Sequence, residues 1–125
     1  MPLFAPAPVF EFTTPEQAIE LIGLFIGEMS LRVGAIGEAL RGTLDLLAVR
    51  AGAHALKGSA ASVGASRVAA LCDHMCEAAQ AADLTSLSLL HLQLLDAAAR
   101  TAALMGERRD ALTVAVDRQE QALAA

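Results

Sequence analysis

The sequence is poor in aromatic residues and has neither Trp nor Tyr; its only aromatics are four Phe. Basic charge is scarce too. Nine Lys and Arg stand against fourteen Asp and Glu, for a net charge of −5 and a pI near 5.0. Apart from Arg108-Arg109 the basic residues are scattered, so the electrostatic footprint of a nucleic-acid-binding protein is missing. There is no basic amphipathic stretch suited to an anionic membrane surface. Long apolar runs are absent as well: Leu21–Ile26 is closed off by Glu20 and Glu28, far short of a bilayer span. The first ten residues, MPLFAPAPVF, hold three prolines and no positive charge, which does not fit a secretory signal. Two cysteines without an export signal lead to the expectation of a reduced, cytoplasmic protein.

What is present is Leu and Ala, both strong helix formers, within a composition that is 55% apolar. A chain of 125 residues suits one domain with a real core. Residues 1–13 read as an extended lead-in. Thr14-Pro15-Glu16-Gln17 is a helix start, with Thr as cap, Pro in the first position and Gln completing a capping box. The helix that follows has an apolar seam at Ile19, Ile22, Ile26, Met29, Val33, Ile36 and Leu40, and Gly42 is its natural end.

Thr43 is the expected cap of a second helix, with a seam of Leu46, Val49, Ala53, Leu56, Ala60 and Val63 and a stop at Gly64. Ser66 is the expected cap of a third, with Val68, Cys72, Met75, Ala79 and Ala82 facing inward. A fourth is expected from near Ser86, through Leu87, Leu90, Leu94, Ala97, Thr101 and Leu104, to an end or bend at Gly106. Short connections make neighbouring helices antiparallel. The expected fold is therefore all-α: an up-down-up-down four-helix bundle over residues 14–106. Residues 107–125 form a helical C-terminal extension that either continues the fourth helix or packs elsewhere.

One stretch of the second helix does not read as core or as ordinary surface: Ala53-His54-Ala55-Leu56-Lys57-Gly58-Ser59-Ala60. At 100° per residue, His54 lies about 130° from the centre of the seam. Leu47, Ala51, Gly58 and Ala61 share its stripe, so the outward face is uncharged and made mostly of small side chains. Lys57 lies one turn on, toward the seam, and Ser59 is further round. A surface histidine beside a chance lysine leaves two features unexplained. One is glycine in a helix interior, which costs about 1 kcal/mol relative to alanine. The other is the lack of charge. A histidine meant to meet another protein explains both: small neighbours allow close approach, and Lys57 offers positive charge to an anionic group on the ring. Imidazole is largely neutral and nucleophilic near pH 7.

This stretch, followed by Gly64-Ala65 and Leu71-Cys72, resembles the histidine phosphotransfer (HPt) domain of bacterial phosphorelays. That family's signature reads H-x-L-K-G-S, then Ala or Ser, then a glycine at the helix end and an L-C or similar pair in the next helix. Phe25 and Glu28 fit its first helix, and the resemblance spans roughly residues 15–105. It implies a four-helix bundle without an ATP site. The bundle would accept a phosphoryl group from the aspartyl phosphate of a receiver domain and pass it to another receiver. His54 would be the phosphorylated residue, Lys57 would neutralise the phosphoryl oxygens, Gly58 would keep the approach open, and Ser59 would help hold the site by hydrogen bonding. Leu47, Ala51, Ala55 and Ala61 would form the docking surface. The expected partners are response-regulator receivers and a hybrid sensor kinase, with no nucleic acid and no membrane, and the expected state is a monomer. No cofactor is expected on this chain; Mg²⁺ belongs to the receiver.

Two departures stand out. The first helix is rich in glycine, and Ala55 occupies a position that is acidic in the phosphoacceptor helix of sensor kinases. The alternatives are the phosphoacceptor domain of a chemotaxis-type kinase and a purely structural bundle. A general-base enzyme is disfavoured, because residues 50, 51, 57 and 58 supply no carboxylate to orient His54. In Cys72-Asp73-His74-Met75-Cys76 the two thiols share a face but His74 lies well around the helix, so small core residues are a better reading than a zinc site. His91 reads as structural or simply exposed.

Overall fold

The computed structural model describes residues 1–5, 7–42 and 44–124. Among these, the regular elements are a 3-10 turn at Pro8–Glu11 and four helices: α1 (Pro15–Leu40), α2 (Leu46–Val63), α3 (Ser66–Gln80) and α4 (Leu84–Ala124). Among the described residues no helix is long and apolar enough to cross a membrane.

The helix ends follow from local chemistry. The Thr14 hydroxyl accepts the Gln17 N–H at 3.1 Å, and the Gln17 side-chain oxygen accepts the Thr14 N–H at 2.9 Å, the expected reciprocal box. Past the end of α1, Gly42 takes φ +64°. The cap of α2 is Asp45, whose carboxylate accepts the Ala48 N–H at 3.0 Å; Thr43, the expected cap, lies outside the described residues. Gly64 closes α2 at φ +82°, with the Ala65 N–H reaching back to the Ala60 carbonyl at 2.8 Å. Ser66 does not cap α3. Ala65 occupies that position, and the Ser66 hydroxyl donates instead to the Gly64 carbonyl at 3.2 Å. Asp83 opens α4 two residues earlier than expected, and its carboxylate accepts both the N–H (3.1 Å) and the hydroxyl (2.6 Å) of Ser86. Those bonds hold the Asp83 carboxyl below its ordinary pKa.

Cross-helix pairs fix the topology. Gly52 faces Ile36 and Ser59 faces Glu28, so α2 climbs as α1 descends. Cys76 meets Arg50 and Asp73 meets Lys57, which makes α3 antiparallel to α2. His91 lies on Gly37 and Arg109 on Gly23, so α4 runs against α1. Each helix packs on two neighbours, giving the up-down-up-down ring.

The α2 seam of Val49, Ala53, Leu56, Ala60 and Val63 is fully buried, as expected from its spacing; only Leu46 stays half-buried. In α1 the buried set is Ala18, Ile22, Phe25, Met29, Val33, Ile36 and Gly37, while Ile19, Ile26 and Leu40 are only half-buried. In α3 Ala82 falls outside the helix, with φ +52°, and is exposed. In α4 Met105 is buried in place of Leu104. The helix runs through Gly106 without a break, so residues 107–124 continue it.

The lead-in is a strap rather than an extended tail. The Ala5 N–H donates to the Gly64 carbonyl at 2.8 Å. The Arg67 guanidinium donates two bonds to the Met1 carbonyl, and the Arg108 guanidinium lies 5.2 Å over the Phe4 ring. Phe4 and Phe10 pack on the core, and the 3-10 turn begins at Pro8, whose fixed φ suits a first position.

Among the described residues one buried side-chain atom is unpaired: Thr101, fully buried in α4, has no hydrogen-bond partner for its hydroxyl. Thr101→Val keeps the shape and removes the stranded group, and should stabilise the bundle by about 1 kcal/mol, raising Tm by roughly 3–6 °C. Thermal unfolding followed by circular dichroism measures this; a lower Tm would show that the hydroxyl finds an acceptor in solution.

Candidate functional site

The buried seam of α2 fixes the rotation of the helix, and that rotation decides what faces out. Ala53 is wholly inside. His54, the next residue, is exposed and makes no hydrogen bond to any described residue. On its stripe Leu47 is 80% exposed, and Ala51, Gly58 and Ala61 are exposed; Ala55, on the flank, is half-buried. A Cβ added to Gly58 would meet nothing within 4 Å. The fold itself therefore does not require glycine there. Gly27, Gly34 and Gly106 have the same free space, but only Gly58 lies one turn from His54 on its own stripe.

Lys57 is the only lysine in the chain. Its ammonium does not float free beside His54: it donates to the Asp73 carboxylate of α3 at 2.7 Å, with both side chains nearly half exposed. The hydrogen bond first, and the charge attraction second, hold the Asp73 carboxyl below its ordinary pKa and the Lys57 ammonium above its own. The pair is thus charged at neutral pH; it is lost in acid as Asp73 takes up a proton, and in base as Lys57 gives one up.

The Ser59 hydroxyl donates to Glu28 of α1 at 2.9 Å, with the Ala55 carbonyl a more distant acceptor at 3.4 Å. Glu28 also lies 3.8 Å from Arg32. Ser59 thus ties α2 to α1, and its hydrogen bond is to α1 rather than to the histidine. Asp73 and the Ser59–Glu28 bond are the features that sequence reasoning missed.

None of the remaining candidates makes a hydrogen bond or ion pair with His54 among the described residues, though Cys76 lies in the cluster of Lys57, Asp73 and Arg50. Cys72 is buried, and burial, with the Cys76 sulfur second, pushes its thiol up to about 12. Cys76 is half-buried and its thiol donates to the Arg50 carbonyl at 3.7 Å. His74 is exposed, with Nδ1 3.9 Å from a Glu77 carboxylate oxygen. Among the described residues no group of three or more His, Cys, Asp and Glu is placed to hold a metal ion. His91 is half-buried, and a Cβ on Gly37 would come within 3.0 Å of its ring, so it fills the close approach of α1 and α4. A hollow of about 720 Å³ lies between α3 and α4 beside Arg67, Leu71 and Leu92. His54 does not line it.

The site is therefore an exposed imidazole among small neighbours, with Lys57 one helical turn along α2 and its ammonium held by the Asp73 carboxylate.

No curated protein matches the chain. Among solved structures, the chain is similar to a histidine-containing phosphotransfer protein from Medicago truncatula, with a TM-score of 0.75 and 24% identity over 87% of this chain and 74% of the other. At that identity the likeness speaks for the fold. The model of the Hpt domain matches residues 20–103, a span that holds most of α1, all of α2 and α3, and the first half of α4. Two thirds of the sequence, with the exposed histidine at its centre, fits that one model: the chain belongs to the Hpt domain family.

Proposed function

We propose that this protein is a phosphorelay intermediate in the cytoplasm, taking a phosphoryl group from one receiver domain on His54 and giving it to another. Membership of the Hpt family supports a phosphotransfer role. The observation that carries the finer reading is the exposed His54 on a stripe of small residues, with Lys57 at i+3 on the same helix. In the forward step the lone pair of an imidazole nitrogen attacks the phosphorus of an aspartyl phosphate. A P–N bond forms as the P–O bond breaks, and the aspartate carboxylate leaves with the electron pair. The reverse step charges the next receiver. Phosphoryl transfer depends on positioning and charge stabilisation more than on covalent help. The receiver brings its own aspartate and Mg²⁺; this chain brings the nucleophile, the Lys57 charge, and a docking face built from Leu47, Ala51, Ala55 and Ala61. A hybrid sensor kinase is a natural source of the first receiver, and the chain acts as a carrier rather than a kinase.

The test is incubation with phosphorylated receiver domains. The expected product is a label on His54 that is labile in acid and stable in alkali, and that a second receiver drains. Labelling by an isolated kinase core, with no receiver present, would instead favour a chemotaxis-type phosphoacceptor domain. No label from any source would leave a structural bundle.

Docking gives a second expectation. Gly58→Leu places a bulky side chain one turn from His54, in space the bundle leaves open. Leucine is the better helix former by about 1 kcal/mol, so the variant should be at least as stable as the parent. Transfer should nevertheless slow at least tenfold in single-turnover measurements. An unchanged rate would place the partner's approach elsewhere.

A further inference from the structure

The Lys57 ammonium has one claimant in this structure, the Asp73 carboxylate at 2.7 Å on α3. It has a second in prospect. Lys57 stands at i+3 from His54, where side chains of a helix meet, and any anionic group on the imidazole would draw the same charge. Asp73 and Glu77 are the carboxylates whose charges act on this ammonium, with the Cys76 thiol beside them, and the other basic residue one turn from His54 on α2 is Arg50, at i−4; the two demands compete for the Lys57 charge. Both partners of the existing pair are nearly half exposed, so the bond can open without dismantling the core. Asp73 is adjacent in sequence to the fully buried Cys72 on a well-packed helix, so its backbone is held firm while its carboxylate stays accessible.

We propose that Asp73 is a positioning residue that holds Lys57 toward α3 and competes with the phosphoryl group on His54 for its charge, so setting how readily His54 gives that group up. The inference rests on the reading of His54 as a phosphoryl carrier. An ammonium held by Asp73 stabilises phosphohistidine less than a free one would. Asp73 therefore keeps the carrier from becoming a sink, and favours onward transfer.

The test uses phosphoramidate, a small phosphoryl donor that needs no receiver, on the full chain, on Asp73→Asn, and on both in a Lys57→Gln background. A His54→Gln control identifies any signal from His74 or His91. The first readout is the pH midpoint at which the phosphoryl resonance titrates in phosphorus NMR. A freed ammonium favours the more charged phosphoryl form, so Asp73→Asn should weaken proton binding to the phosphoryl group about two- to fivefold, the range of an exposed ion pair. The second readout is the equilibrium partition of the group against one fixed receiver, which should move toward His54 by a similar factor. Both changes should vanish in the Lys57→Gln background.

A folded Asp73→Asn protein with an unmoved midpoint would reduce the pair to a brace between α2 and α3 and overturn the proposal. A shift of the opposite sign would show that Asp73 presents Lys57 to the phosphoryl group, and would overturn it equally. If the midpoint moves as expected but no receiver exchanges with His54, the competition stands and the relay reading fails. If phosphoramidate leaves His54 unlabelled, both fail.

Discussion

His54→Gln is expected to abolish phosphoryl acceptance and to leave the bundle as stable as before. The side chain is exposed and makes no hydrogen bond with the described residues, so its removal strands no partner and opens no cavity. Glutamine is a good helix former, and a surface change of this kind stays within about 0.5 kcal/mol. Acceptance should fall below detection because nothing beside His54 can replace it: His74 lies on α3 next to Glu77, and His91 is wedged against α1. The measurement pairs transfer from a phosphorylated receiver with thermal unfolding of the same sample. Label that persists on the variant, or that maps to His74 or His91, contradicts the assignment. Lost transfer accompanied by lost helicity would mean that the ring does structural work this structure does not show.

The largest loss of stability should come from Gly64→Ala. Gly64 combines two demands. Its φ of +82° lies in the left-handed region, where an L side chain costs about 1–2 kcal/mol. A Cβ there would also collide with the Ala5 carbonyl oxygen, a backbone atom of the strap that bonds back to Gly64. The strap must then lift, losing the Ala5 bond and loosening the packing of Phe4 on the core. The combined destabilisation should be about 2–4 kcal/mol, within the range for strain at a special backbone position. Urea unfolding gives the value directly. A loss below about 1 kcal/mol would show that the strap peels away freely and that only the backbone term remains.

How much of this was legible in the sequence differs from helix to helix. In α2 the apolar residues are few and regularly spaced among small ones, so the seam fixed the rotation, and with it the outward direction of His54. In α1 the run Leu21-Ile22-Gly23-Leu24-Phe25-Ile26 offers apolar residues on every side. The helix is pressed between α2 and α4, so burial went to Phe25 rather than Ile26, and to Ala18 and Gly37, whose small size permits close approach. Gly106 looked like a stop, but a single glycine costs a long helix too little to end it. The two bonds that complete the site were not legible at all. Lys57–Asp73 spans 16 residues and Ser59–Glu28 spans 31, and both depend on how neighbouring helices are rotated, which no local pattern records.

The 41 residues of α4 have a further consequence, for how the molecule moves through water. At 1.5 Å per residue this helix is about 60 Å long. Leu112 still shares a hollow with Thr14 and Pro15 at the start of α1, so the last turns run on past the ring of four helices. A particle of 12.9 kDa with such a spar has more friction than a sphere of equal mass and tumbles faster about its long axis than across it. Gel filtration calibrated with spherical standards will therefore overstate its mass and can make a monomer elute like a dimer. Light scattering or sedimentation equilibrium, which do not depend on shape in that way, are the methods that can decide its oligomeric state.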